Sequence, residues 1–247
     1  SPKYLYDALG CALFRAICEL PEYYPPRAER QIFAMHRADI AHIVGRRHQF
    51  VDLGAGDCAK GAAWIPVLSP SRYVAVDIAR VAIEPALWRL ADDYPAVEFA
   101  GVVTDFTSGL ELRRELGDHA VTFFYPGSSI GNFEPADARA FLTAIRLHCV
   151  GREGSGLLIG VDTRKDPARF EAAYDDAIGL TAAFNRNVLN HVNAVLGSDF
   201  APARFAHRAR YDTAAGRVEM HLEAIVDQRV NIDGQIRSFA AGETIHT

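Results

Sequence analysis

The 247-residue chain is 49% apolar and 23% charged, the balance of a folded globular protein with room for one large domain or one domain carrying a lobe. A formal net charge of −5 with no concentrated basic stripe excludes a nucleic-acid or anionic-membrane surface. No apolar run nears the roughly 20 residues that cross a bilayer. The opening Ser1-Pro2-Lys3-Tyr4 lacks a starting Met and a basic-then-apolar leader, as expected of a trimmed chain or fragment with a cytoplasmic location. Residues 7–20 carry apolar side chains at helical spacing (Leu9, Leu13, Phe14, Ile17, Leu20), and Pro21 stops the helix. Glu22-Tyr23-Tyr24-Pro25-Pro26 is a stiff aromatic turn, and a second helix follows over 27–45.

The pattern then changes to short apolar runs, predicting strands at 50–53, 73–77, 97–103, 120–125 and 156–162. Helical stretches at 59–68, 80–93 and 135–149 separate them, the last with Pro at its start. That alternation predicts an α/β fold with a Rossmann-like, doubly wound parallel sheet. Residues 166–196 read as mostly helical, and two alternating runs near 217–225 and 226–232 read as antiparallel strands, with Asp233-Gly234 as a hairpin turn. The expected division is an N-terminal helical arm at 1–45, a cofactor-binding core at 46–163 and an added α+β substrate-binding lobe at 164–247.

The strongest chemical signal is Asp52-Leu53-Gly54-Ala55-Gly56. Glycines after the first strand permit a tight turn and close approach of a ligand. Asp77, at the end of the next strand, can accept from both ribose hydroxyls. Two cofactors suit this layout, NAD and S-adenosylmethionine. NAD needs phosphate donors at the helix N-terminus, where Asp57 would repel a pyrophosphate. The sulfonium nucleoside carries no phosphate, and Lys60 can meet its carboxylate. Asp105-Phe106 adds an acceptor for an adenine amine beside an aromatic face. After the fourth strand, the small-residue loop 127–133 presents the Asn132 amide, a donor suited to a carboxylate. The cysteines (Cys11, Cys18, Cys58, Cys149) form no C-x-x-C pair and the histidines no H-E-x-x-H, so no metal is expected.

Several segments together resemble the histidine-specific S-adenosylmethionine-dependent methyltransferases, which include the N-alpha-methyltransferase of ergothioneine biosynthesis. They are Ser1-Pro2-Lys3-Tyr4-Leu5-Tyr6-Asp7, Leu20-Pro21-Glu22-Tyr23-Tyr24-Pro25, the stretch Gly127 to Phe133, Ala173-Tyr174-Asp175-Asp176, the stretch Thr181 to Asn187, Arg217 to Leu222 and Phe239 to Thr247. The resemblance implies a class I methyltransferase core acting on the α-amine of histidine, with up to three methyl groups added. It implies that Tyr23 stands near that amine as the catalytic contact, that Asn132 and Tyr174 hold the substrate carboxylate, and that Tyr6 begins the imidazole pocket. Gly54, Gly56, Lys60, Asp77, Asp105 and Phe106 match cofactor positions. The implied partner is a small amino acid, with no nucleic acid, membrane or obligatory protein.

Two departures stand out. The glycine loop, Gly54 to Gly61, has fewer Ser and Thr residues than is usual in the family. The family also continues beyond the Gly-Glu-x-x-x-Thr segment with a Glu-x-Ser pair and further strands, so the resemblance implies more sheet than ends at Thr247. An NAD-linked oxidoreductase and a non-catalytic binder of the same ligands stay open as alternative readings.

Overall fold

The computed structural model describes residues 2–247, the side chains of Pro2, Lys3 and Ser108 excepted. Ser1 of the first family-like segment lies outside the described residues. The chain divides into two units, one of residues 27–162 and the other of residues 1–26 with 163–247.

In the first unit five strands form a parallel sheet: β1 (Gln49–Leu53), β2 (Arg72–Asp77), β3 (Glu98–Val103), β4 (Val121–Tyr125) and β5 (Gly156–Ile159), in the order β3-β2-β1-β4-β5. All pairs are parallel, so the doubly wound sheet expected from the sequence is present. Every residue of β1 and β4 is buried, as in strands covered on both faces. The order reverses between β1 and β4, the switch point at whose carboxyl ends such sheets bind ligands.

Helix α2 (Pro25–Val44) leads into β1, and α3 (Ala59–Ala62), α4 (Ile65–Leu68), α5 (Arg80–Asp93) and α6 (Pro135–Cys149) lie between successive strands. The single helix expected over 59–68 is broken into two one-turn pieces. Helix α2, placed with the arm on sequence grounds, belongs with the sheet. Phe33, Ile40, Ala41 and Val44 pack on a core cluster that includes Phe50, Trp64, Tyr73 and Phe124. The opposite core gathers Val51, Leu53, Val74, Val76, Phe123 and Tyr125.

The second unit holds α1 (Ala8–Ile17), α7 (Pro167–Tyr174) and α8 (Leu180–Leu196). Its strands β6 (Phe205–Asp212), β7 (Arg217–Ala224) and β10 (Thr244–His246) form an antiparallel sheet in the order β10-β7-β6, while β8 (Gln228–Ile232) and β9 (Gln235–Phe239) form a separate ribbon. The two strands expected here therefore lie in different sheets. The hairpin at Asp233-Gly234 joins β8 to β9, and both turn residues have positive φ (50° and 80°), as a type I′ turn demands. Asp7 caps α1 by accepting from the Gly10 N–H at 2.7 Å, and the same oxygen accepts from Asn187 Nδ2 on α8 at 2.7 Å.

Candidate active site

In the first unit the predicted cofactor residues come together at the carboxyl ends of β1, β2 and β3. Gly54 and Gly56 turn the chain with φ of 71° and 53°, values that suit glycine. A Cβ on Gly54 would have one neighbour within 4 Å, the Phe106 ring at 3.9 Å, and one on Gly56 would have none. The elbow is thus open to close approach, and Phe106 stands beside it. Asp77 fixes its shape: Oδ2 accepts from the Gly56 N–H and Oδ1 from the Ala79 N–H, each at 2.8 Å. Each oxygen keeps a second lone pair for a further donor. Asp105 holds its own turn, accepting from the Thr107 N–H at 3.1 Å and from the Thr107 hydroxyl. The ring of Phe106 meets Tyr125 edge-on at 6.0 Å.

Lys60 stands at this edge with a partner that sequence reasoning missed. Its Nζ lies 2.7 Å from Oε2 of Glu29, while Oε1 of Glu29 accepts from the Gly127 N–H at 2.6 Å. One carboxylate on α2 therefore ties the Lys60 segment after β1 to the loop after β4. Nothing in the sequence around Glu29 marks it; only the fold brings α2 across the switch point. Asn132 closes the 3-10 turn Ser129–Asn132 beyond β4 and is exposed.

Beneath the elbow sits a second group without an assigned role in the sequence reading. Asp52 is 2% exposed, and its Oδ2 accepts from the Tyr73 hydroxyl at 2.5 Å. A Cβ on Gly61 would collide with both atoms, so this glycine makes room for the pair. Burial pushes the Asp52 carboxyl up to about 7, against the Tyr73 hydrogen bond, which lowers it. Burial, with the Asp52 charge next, pushes the Cys58 thiol up to about 12, so it stays a protonated, unreactive thiol at neutral pH.

The second unit gathers the other predicted residues on one aromatic ladder. Tyr6 meets Phe14 and Phe184 at 5.7 and 5.8 Å, Phe14 meets Tyr23 at 6.1 Å, and Tyr23 meets Tyr174 edge-on at 5.8 Å. Tyr23 and Tyr174 also share a hydrogen bond. Desolvation raises the Tyr23 phenol well above 10, helped by Tyr174 and then Tyr6. Desolvation, with Tyr174 next and then Cys11 and Cys18, pushes the Tyr6 phenol up to about 12. Both phenols keep their protons throughout the neutral range. The rings of Tyr24 and Phe133 are engaged within their own units. Lys165 and Arg169 stand over Tyr24 at 4.8 and 4.4 Å, and Phe133 stacks on Phe141 at 5.2 Å.

Glu219, His221 and His246 are a group of metal-ligating type among the described residues. Arg210 and Arg217 each reach Glu219 at 2.8 Å, and His221 Nε2 reaches it at 3.0 Å. With two guanidinium groups already on its carboxylate, this cluster suits an ion-pair network better than a cation.

A glycine elbow, a strand-end acid and an acid–aromatic pair at the switch of a parallel sheet define a nucleoside-binding α/β core. Helix α3 has only four residues after the elbow, and Asp57 accepts from the Ala59 N–H there at 3.1 Å, so the phosphate cradle that NAD needs is absent from this turn. Comparison with known proteins makes the class specific. The model of the family described as histidine-specific methyltransferase, SAM-dependent, matches residues 1–247, and the chain belongs to that family. It is a methyltransferase enzyme whose cofactor is S-adenosylmethionine.

The chain is 38% identical over 253 residues to the histidine N-alpha-methyltransferase of Mycolicibacterium smegmatis, covering 100% of this chain and 77% of the relative. It is 39% identical to that of Mycobacterium tuberculosis, with the same coverage. It is 31% identical to ergothioneine biosynthesis protein 1 of Neurospora crassa, over 78% of this chain and 22% of the relative. Among solved structures, an S-adenosylmethionine-dependent methyltransferase from Clostridium acetobutylicum aligns with a TM-score of 0.49 and 12% identity, over 95% of this chain and 78% of that one.

Proposed function

We propose that the enzyme methylates the α-amine of histidine, adding up to three methyl groups to give the betaine used in ergothioneine biosynthesis. The observation that carries this reading is the Tyr23–Tyr174 pair at the end of the aromatic ladder: two phenols held as donors beside an apolar wall. That pairing suits a small zwitterion with an ionised carboxylate and a ring. The names of the relatives that span this whole chain support the same substrate and the same nitrogen.

In the core unit, Gly54 and Gly56 offer the approach, Asp77 the ribose contact, and Asp105 with Phe106 the adenine contact. Lys60 serves the carboxylate of the cofactor's amino-acid end, with Glu29 keeping the lysine in place. When bound, S-adenosylmethionine supplies a methyl group already activated on a sulfonium, so the protein's task is alignment, a contribution that reaches about 7–11 kcal/mol in ideal cases.

The substrate amine must arrive neutral, because its lone pair is the nucleophile. Tyr23 gives it direction by accepting one amine N–H at its phenol oxygen, which leaves the nitrogen lone pair free to attack. A phenol raised well above 10 by burial stays protonated and acts as an orienting group, not a base. Asn132 and Tyr174 donate to the substrate carboxylate and fix its other end. Tyr6 lies on the same ladder as the start of a slot for the imidazole. As the amine gains methyl groups, the Tyr23 face is left to offer cation–π attraction, since Tyr24 and Phe133 are covered.

The deciding experiment incubates the full-length enzyme with labelled cofactor and histidine and follows mono-, di- and trimethylated products by mass spectrometry. A folded protein that binds S-adenosylhomocysteine but yields no methylated histidine would reject the substrate. The α-nitrogen is checked by fragmentation of the product.

A further inference from the structure

The carbonyl of Tyr174 ends α7, and the last carbonyls of a helix lack partners within it. His207, on β6, supplies one: Nε2 lies 2.8 Å from that oxygen. The other ring nitrogen, Nδ1, lies 2.9 Å from Nδ2 of Asn185 on α8. The same Nδ2 lies 3.1 Å from the carbonyl oxygen of His221 on β7. Asn185 is fully buried, and the His207 side chain is 2% exposed.

The chemistry of these contacts leaves one arrangement. A carbonyl only accepts, so the amide must turn its nitrogen toward His221, which leaves Oδ1 buried with no hydrogen-bond partner. The second amide N–H then points at Nδ1 of His207, which has to accept. A ring nitrogen that accepts carries no proton. The imidazole is therefore neutral with its proton on Nε2, and that N–H donates to Tyr174. Asp175 Oδ1, 3.9 Å from Nε2, is too far to compete for it.

We propose that Asn185 and His207 are positioning residues that fix the backbone of Tyr174 and so the angle at which its phenol meets Tyr23 and the substrate carboxylate. The proposal rests on the reading of Tyr174 as a substrate contact. An amide that dictates the tautomer of a buried imidazole is more than packing needs. Apolar side chains would fill the same space without an orphaned oxygen, but they would give the end of α7 no directed donor. Both residues lie outside the core unit, so their loss acts on the amino acid and spares the nucleoside.

The test compares wild type with His207→Met, His207→Gln and Asn185→Asp in the full-length enzyme. KM and kcat are measured for histidine, the Kd for S-adenosylhomocysteine by calorimetry, and the His207 tautomer by nitrogen NMR. Methionine fills the space without a donor and should raise KM at least tenfold while the Kd stays within twofold. Glutamine can still donate to the Tyr174 carbonyl and should recover most of that loss. Aspartate sets a carboxylate oxygen against the His221 carbonyl, loses the amide N–H that holds the His207 ring, and should raise KM severalfold. Equal KM for methionine and glutamine, an unchanged KM, or a Kd that weakens in step with KM would each overturn the proposal. Wild type that leaves histidine unmethylated would sink the substrate reading instead. In that case the NMR spectrum still decides the pair, because a proton on Nδ1 in the wild type overturns it.

Discussion

Replacing Asp52 with Asn should make the core unit more stable at neutral pH and should remove a pH dependence. The carboxyl rises from 3.8 to about 7 on folding, chiefly through burial. At about 1.36 kcal/mol per pKa unit, that rise corresponds to about 4 kcal/mol lost once the group ionises in both states. The sign follows from proton counts. Between pH 4 and 7 the folded protein holds a proton that the unfolded chain has released, so stability falls by about 1.4 kcal/mol per pH unit as pH rises, and levels off above 7. Asparagine has nearly the same shape, accepts from the Tyr73 hydroxyl through Oδ1, and does not ionise. The variant should therefore gain about 2.5 kcal/mol on the wild type between pH 5 and pH 8. Urea unfolding at several pH values, followed by tryptophan fluorescence, measures it. Both tryptophans, Trp64 and Trp88, lie in the core unit, so the signal reports that unit. A constant gap from pH 5 to 8, or one that shrinks as pH rises, would refute the burial argument.

Asn132→Ala should raise KM for histidine about tenfold or more and leave S-adenosylhomocysteine affinity nearly unchanged by calorimetry; equal loss of both would contradict its assignment to the substrate. Glu29→Gln removes the carboxylate that pairs with Lys60 and weakens the hold on the Gly127 N–H, so cofactor affinity should fall about tenfold with the fold intact by circular dichroism. Tyr23→Phe should lower kcat while the shape of kcat/KM against pH stays the same from 6 to 9, because a phenol raised by burial does not titrate there. Glu219 is held down to about 2 by His221, then Arg210 and Arg217, so its contribution is present above 4.5 and fades as pH falls through 2. Glu219→Gln should therefore lower Tm by several degrees at pH 7, and the gap should narrow by pH 3.

The core was legible because parallel strands buried on both faces leave continuous apolar runs, and glycine and acid at strand ends mark the ligand edge. Strand positions and the Asp233-Gly234 turn could be read locally for the same reason. The pairing of β7 was not legible, since its partners β6 and β10 lie on either side of it in sequence and alternation alone names no partner. Glu29 escaped because a lone glutamate on an amphipathic helix looks like any solvated one; its meaning is set by Lys60 and Gly127, far away along the chain. Asp52 stood in a motif that was read for its glycines. Its burial comes from Tyr73 and from the empty Cβ position at Gly61, which only the folded chain brings together.

The unit that bears the aromatic ladder is assembled from the two ends of the described sequence, with the five parallel strands coded between them. During synthesis the first 26 residues emerge long before α8, against which Leu5, Ile17 and Leu20 later pack around Phe184. These five strands can pair while this leading segment waits with its apolar face uncovered. Nascent-chain folding should therefore pass through a stage able to hold nucleoside but not amino acid, and that stage is where a chaperone would be needed.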